Sequence, residues 1–301
     1  MSDQAGAEGT EADQAGTAAR ESGQAAPEAG QAAPADGETA AETADRLRHG
    51  SSFGAAAAAY AEHRPVYAEA AVEWVLAPVR ERRPLRVADI GAGTGKLTAM
   101  LAGLGADVTA VEPDPEMLAE LRRAMPGVRS VPGSAEELPL ADASVDAVLA
   151  GQAMHWFDLD RALPEIARVL TPGGVLAGLW NVDDDRVDWV AELAAISKHK
   201  SSPTLLRWHG GKVHGRPPRL AEVSADLFHP AEESEFGHGQ ARTADSLVAT
   251  IGTHSNLLTM DETERGALLA QVRGFLESRP ETAHGEFALP LVTMTLRMTR
   301  R

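Results

Sequence analysis

The chain has 301 residues, 44% of them hydrophobic, which is enough for one large globular domain. Its formal net charge is −16 and it contains no cysteine. That acidity argues against a long nucleic-acid footprint, which needs clustered Lys and Arg to displace counterions. The missing cysteine excludes disulfides, thiolate metal sites and cysteine nucleophiles. No apolar run reaches the roughly 18–20 residues of a membrane span, and no basic start followed by an apolar stretch marks a secretory signal. The expectation is a cytoplasmic protein with neither nucleic acid nor membrane as partner.

Residues 1–48 are built from Ala, Gly, Gln, Glu, Thr and Pro, with one imperfect repeat around Pro27 and Pro34. Residues 1–45 carry ten acidic side chains against Arg20 alone. With no large apolar residue between Met1 and Leu47, this stretch cannot repay its ordering entropy, and a disordered leader is expected. The folded part, 49–301, opens with a helix-favouring run, Ala55 to Glu62, interrupted at Arg64-Pro65. Val66 to Arg83 then reads as an amphipathic helix with Val72, Val75, Leu76 and Val79 on one face.

Strand and helix signals alternate from there. Leu85 to Ile90 is a short apolar strand, and Leu97 to Leu104 a helix. Asp107 to Val111 is a strand, and Pro115 to Ala124 a helix capped by Asp114. Val128 to Val131 and Val145 to Ala150 are strands. Leu159 to Leu170 is a helix behind Asp158 as a cap, and Val175 to Trp180 a strand. Residues 183–235 read as helices and loops, Leu247 to Leu258 and Glu262 to Leu276 as helices. Phe287 to Arg297 alternates like a late strand. The pattern implies an α/β, Rossmann-like open sheet: mostly parallel, with an antiparallel strand near the C-terminus and helices on both faces. Residues 85–181 form its cofactor-binding core, 182–286 a variable, substrate-facing insertion, and 287–301 the final strand.

The informative segment is Asp89-Ile90-Gly91-Ala92-Gly93-Thr94-Gly95-Lys96. A strand running into a glycine-rich turn and a helix lets a ligand approach the backbone and offers it amide donors. The next strand ends at Glu112, about 20 residues beyond the first glycine, the spacing at which an acid meets a ribose diol. A dinucleotide fingerprint wants glycine at the sixth position, where this chain has Lys96.

The turn resembles instead the first motif of the class I S-adenosylmethionine-dependent methyltransferases. The likeness continues through Val111-Glu112-Pro113-Asp114, Gly133 to Leu140, Ser144-Val145-Asp146, and Glu165 to Gly174. Phe53-Gly54, Tyr60, Arg64-Pro65, His155-Trp156-Phe157 and Leu289-Pro290-Leu291 are similar to the small-molecule branch containing trans-aconitate-type and methyltransferase type 11 proteins. The resemblance implies S-adenosyl-L-methionine as cofactor and a small-molecule acceptor methylated by direct displacement. Asp89, Gly91, Ala92, Gly93 and Gly95 would surround the methionine moiety, and Glu112 would hold the ribose. Pro113, Ala135 and Glu136 would lie near adenine, with Gln152 beside the cofactor. Ser134 stands where many members carry an acid, so the resemblance implies that the adenine contact passes to Glu136 or is weaker.

Substrate-binding candidates are Tyr60, Arg64, His155 and Trp156. Arg64 suits a carboxylate, and His155, the candidate base, has an ordinary pKa near neutrality. Trp208, His209 and His214 lack carboxylates at ligand spacing, so no metal is expected. A dehydrogenase is disfavoured by Lys96. A nucleic-acid base methyltransferase is disfavoured by Gln152-Ala153-Met154-His155, where an Asn- or Asp-Pro-Pro motif would stand. A non-catalytic cofactor-binding protein on the same fold is the alternative. The acceptor and the oligomeric state are not legible.

Overall fold

The computed structural model describes residues 65–197, 220–253, 257 and 260–301, together with the backbone of 207–209 and 212–214. The leader, the Ala55–Glu62 helix, Tyr60, Arg64 and the side chains of Trp208, His209 and His214 lie outside the described residues.

The first described helix, α1, spans Glu69–Leu76 and buries Ala71, Val72, Val75 and Leu76. It stops well short of the Arg83 expected from its apolar face. Pro78 has no N–H with which to continue the ladder to Trp74. The carbonyl left over at Trp74 accepts from Ala77 N at 3.3 Å and from Arg297 Nη1 at 2.6 Å.

The alternation then follows in order: β1 (Arg86–Ile90), α2 (Lys96–Gly103), β2 (Asp107–Val111), α3 (Pro115–Ala124), β3 (Arg129–Val131), β4 (Val145–Gly151), α4 (Leu159–Val169) and β5 (Leu170–Asp183). Asp114 caps α3 as expected, its Oδ1 accepting from Glu116 N and Met117 N at 2.9 Å each. Asp158 does not act as the cap its position suggests. Its side chain makes no cap bond, and its own amide donates to Glu136 Oε1 at 2.9 Å.

Beyond β5 come α5 (Asp188–Ile196), a small hairpin of β6 (Arg207–His209) and β7 (Lys212–His214), α6 (Leu220–Ser224), β8 (Glu232–Thr243), α7 (Ala244–Gly252), α8 (Glu262–Ser278) and β9 (Glu286–Thr299). The seven-stranded sheet has the order β3-β2-β1-β4-β5-β9-β8. β1 to β5 pair in parallel, and β9 runs antiparallel to both β5 and β8. The late antiparallel strand is where the sequence placed it. Two corrections concern strands: the β6–β7 hairpin and the start of β8 fall within 183–235, expected as helices and loops, and the rest of β8 falls in a stretch with no expected element. As an edge strand with one neighbour β8 can be polar and glycine-bearing, so Glu232 to Thr243 carries no apolar run to betray it.

Alternate residues of the central strands enter different cores, as the two-residue period of a strand requires. Ala88, Ile90, Val148 and Ala150 pack with Leu163 and Ile166 of α4. Val87, Ala147 and Leu149 pack with Val72 and Val75 of α1 and with Leu97 and Leu101 of α2. A third cluster joins Trp189, Val190 and Leu193 of α5 to Leu247, Ile251, Leu268 and Val272 of α7 and α8. From β1 the chain steps outward to β2 and β3, then returns to the other side at β4. The carboxyl ends of β1 and β4 therefore flank a switch point, where open α/β sheets bind ligands.

Candidate active site

The glycine bend leaves β1 at this switch point. Gly91 and Gly95 have φ of +63° and +90°, in the left-handed region. At Gly91 a Cβ would also stand 2.6 Å from the Cβ of Ala153, so the bend is pressed against the loop that follows β4.

Two acids are buried beneath it. Asp89 is fully buried; its Oδ2 accepts from Thr98 Oγ1 at 2.5 Å, while Oδ1 has no partner among the described residues. Burial pushes its carboxyl up to about 7, against the Thr98 hydrogen bond and with help from the charge of Glu112. Glu112, at the tip of β2, is 5% exposed. Its Oε2 accepts from Gly93 N at 2.7 Å and its Oε1 from Asp114 N at 2.8 Å. Burial raises its pKa too, while those two amides pull it back.

The bend was expected to present open amides, and here the structure differs. Gly91 N and Ala92 N both donate to Val111 O, Gly93 N to Glu112, and Gly95 N to Ala92 O. Among the buried side-chain atoms here, Asp89 Oδ1 and the hydroxyl of Thr94 have no partner within the described residues. This pocket offers acceptors backed by negative charge. It suits a ligand with an ammonium and hydroxyl donors, and it would repel a pyrophosphate.

The other half of the site is aromatic. Gln152, just past β4, is held at φ +56°, its amide donating to Leu179 O at 2.8 Å and its Nε2 to Asn181 O at 2.9 Å. A single 3₁₀ turn, Met154–Trp156, follows. The His155 and Trp156 rings lie 4.7 Å apart, and Trp180 Nε1 donates to His155 Nδ1 at 3.4 Å. Burial pushes the imidazole down to about 4, so His155 is neutral near pH 7.

Asp89, the bend and Glu112 are thus brought together. Gln152, His155 and Trp156 line the neighbouring strand tip. Ala135 is packed into the core, Pro113 is exposed, and Glu136 ties the loop after β3 to Asp158 N. Sequence reasoning missed Thr94 and Thr98, which look like ordinary helix-start residues, and Tyr67. Tyr67 lies against Gly151, the last residue of β4. The one available signal was a glycine ending an otherwise bulky strand. No group of three or more His, Asp or Glu placed to hold a metal ion occurs among the described residues, and no described helix is long and apolar enough to cross a membrane.

The sheet order, its single reversed strand and the acid-backed glycine bend define a Rossmann-like α/β domain. Residues 88–178 match the family model of a methyltransferase domain. An uncharacterized methyltransferase of Mycobacterium tuberculosis is 40% identical over 258 residues, which cover 85% of this chain and 99% of that protein. A malonyl-[acyl-carrier protein] O-methyltransferase of Methylococcus capsulatus is 41% identical over 145 residues, 46% of this chain and 52% of that one. A solved structure from Anaeromyxobacter dehalogenans, described as a candidate type II methyltransferase, superposes with a TM-score of 0.56 at 26% identity, over 79% of this chain and 97% of that one. The chain belongs to the class I S-adenosylmethionine-dependent methyltransferases.

Proposed function

We propose that this methyltransferase binds S-adenosylmethionine at the β1–β2 tips and methylates a small-molecule acceptor by direct displacement. The acceptor arrives already deprotonated, as a carboxylate does. The observation that carries the cofactor reading is the pair of buried acids around a bend in which the amides of Gly91, Ala92, Gly93 and Gly95 are already engaged. S-Adenosylmethionine supplies an activated methyl group on a positively charged sulfur. Glu112 has lone pairs left beyond its two amide bonds, and these would accept from ribose hydroxyls. Asp89 Oδ1 and Thr94 Oγ1 would meet the amino-acid end, where an ammonium offsets the cost of burying charge at Asp89. Gly91, Ala92, Gly93 and Gly95 shape the floor. Pro113, Ala135 and Glu136 are assigned to the adenine edge, and Gln152 to the rim.

The acceptor reading rests on His155. A general base works best with a pKa near the working pH, and burial holds this imidazole far below it. Its Nδ1 is also occupied by Trp180. An acceptor already ionised needs no base, and the chain then has only to align it and exclude water. The Methylococcus relative acts on malonyl-[acyl-carrier protein], but its likeness spans 46% of this chain and leaves the acceptor side open. The cytoplasmic location, the absence of nucleic-acid partners and the candidate acceptor contacts Tyr60, Arg64 and Trp156 belong to the same proposal.

Calorimetry tests the cofactor site. Wild type is expected to bind S-adenosylmethionine, and Glu112→Ala to bind at least about tenfold more weakly, the scale of a lost charged hydrogen-bond acceptor. Equal affinity in the two would overturn the assignment. Turnover to S-adenosylhomocysteine with a panel of metabolite carboxylates separates an enzyme from a passive binder.

A further inference from the structure

Tyr67 stands just before α1, is 7% exposed, and is held from both sides. Asn181 Nδ2 of β5 donates to Val66 O at 2.9 Å, and Ala68 N donates to Thr293 Oγ1 of β9 at 2.9 Å. Thr293, fully buried, gives its own proton to Asn181 Oδ1 at 2.6 Å. Its oxygen also lies 3.1 Å from His238 Nε2 of β8. A hydroxyl has one proton and two lone pairs, so Nε2 of His238 must carry the hydrogen in that contact. Three strands thus pin residues 66–68 through one polar chain.

The clasp delivers the phenol to a particular place. A Cβ built on Gly151 would stand 2.5 Å from Tyr67 Oη and 2.9 Å from its Cζ. β4 can end in this position only because residue 151 has no side chain. Across the sheet, a Cβ on Gly91 would meet Ala153, with Phe157 close behind. Ala153 and Phe157 belong to the α4 face of the core, and Tyr67 to the α1–α2 face. The crevice between the β1 and β4 tips therefore receives one wall from each face, and the wall with a polar atom is Tyr67.

We propose that Tyr67 contacts the reactive, sulfur-bearing end of the cofactor, and that its hydroxyl and ring tell the methylated, positively charged form from the demethylated product. This rests on the cofactor reading above. That reading puts the ribose on Glu112 at the β2 tip and the amino-acid end on Asp89 at the β1 tip. The sulfur that joins them then lies between the β2 and β1 tips, and the next strand beyond β1 is β4, where Tyr67 stands. A phenol oxygen and the face of an aromatic ring both favour positive charge, so the contact is stronger before transfer than after it. The same residue would thereby favour loading of fresh cofactor and release of spent product.

The test compares affinities for S-adenosylmethionine and S-adenosylhomocysteine by calorimetry, in wild type, Tyr67→Phe and Tyr67→Leu. Removing the hydroxyl should shift the ratio of the two affinities about threefold toward the product, and removing the ring about tenfold, the range of cation–π contacts. Glu112→Ala should weaken both ligands by a common factor and leave the ratio alone. A ratio unchanged in Tyr67→Phe and Tyr67→Leu overturns the proposal while leaving the cofactor site standing. Should the Leu variant unfold, Tyr67→Phe, which keeps the ring in place, decides alone. Wild type that binds neither ligand defeats the cofactor reading and this assignment with it.

Discussion

The two halves of the site are built from opposite materials. At the β1 and β2 tips the fold buries two carboxylates and surrounds them with backbone; at the β4 and β5 tips it packs a half-buried imidazole against indoles. The acidic half gains its charge's keep from a ligand that brings donors and positive charge. The aromatic half keeps its one titratable group uncharged and offers shape. On the proposed function, recognition of the cofactor would be electrostatic, while recognition of the acceptor would depend on packing.

The largest effect should come from breaking the wall between the halves. Gly91→Val combines a positive φ with a side chain driven into Ala153, and a loss of about 3 kcal/mol or more in denaturant unfolding is expected. A loss below about 1 kcal/mol would show that the bend and the β4 loop are not in register.

Next in size is the pH dependence, in which the halves oppose each other. Asp89 titrates at about 7 when folded, above its unfolded value of about 3.9. Its contribution to stability is therefore full below pH ~4 and is lost as pH rises toward 7. His155 titrates at about 4 when folded, below its unfolded value of about 6.5. Its contribution is full above pH ~6.5 and is lost as pH falls toward 4. Between those limits the two slopes work against each other. Asp89→Asn should leave stability rising more steeply with pH over that window, and His155→Gln should leave it falling. Parallel curves for wild type and both variants, in urea titrations at stepped pH, would show that neither group is buried as described.

The smallest effect is expected on turnover. With an acceptor that needs no base, His155→Gln should change kcat by less than about threefold, whereas loss of a working base costs about a hundredfold or more. A hundredfold loss would return His155 to the chemistry and point to a hydroxyl or amine acceptor.

The same contrast explains what could be read from the sequence. Asp107–Val111 and Pro115–Ala124 were legible to the residue, because a short apolar strand and a capped helix are local matters. So were the bend and Glu112, since a left-handed turn demands glycine and the acid follows at a fixed interval. Occupied amides were not legible, because Val111 O reaches Gly91 and Ala92 only once β1 and β2 are paired. His155 is a candidate base by its ordinary pKa; the hydrogen bond from Trp180 and the packing that lowers that pKa exist only in the fold. Tyr67 escaped because its partner Gly151 is a whole sheet away in sequence. β8 escaped because an edge strand has no need to be apolar.

β9 has one more consequence, for the order of assembly. It lies between β5 and β8, and both of those are made earlier on the ribosome. Until residues 286–299 emerge, β8 has no strand beside it among the described residues and the outer side of β5 is unpaired. Between the completion of β8 at Thr243 and the arrival of β9, a nascent chain therefore carries open hydrogen-bonding edges on both β5 and β8, the kind of surface that recruits holding chaperones. The polar, glycine-bearing make-up of β8 keeps one of those waiting edges from sticking to its neighbours on the polysome.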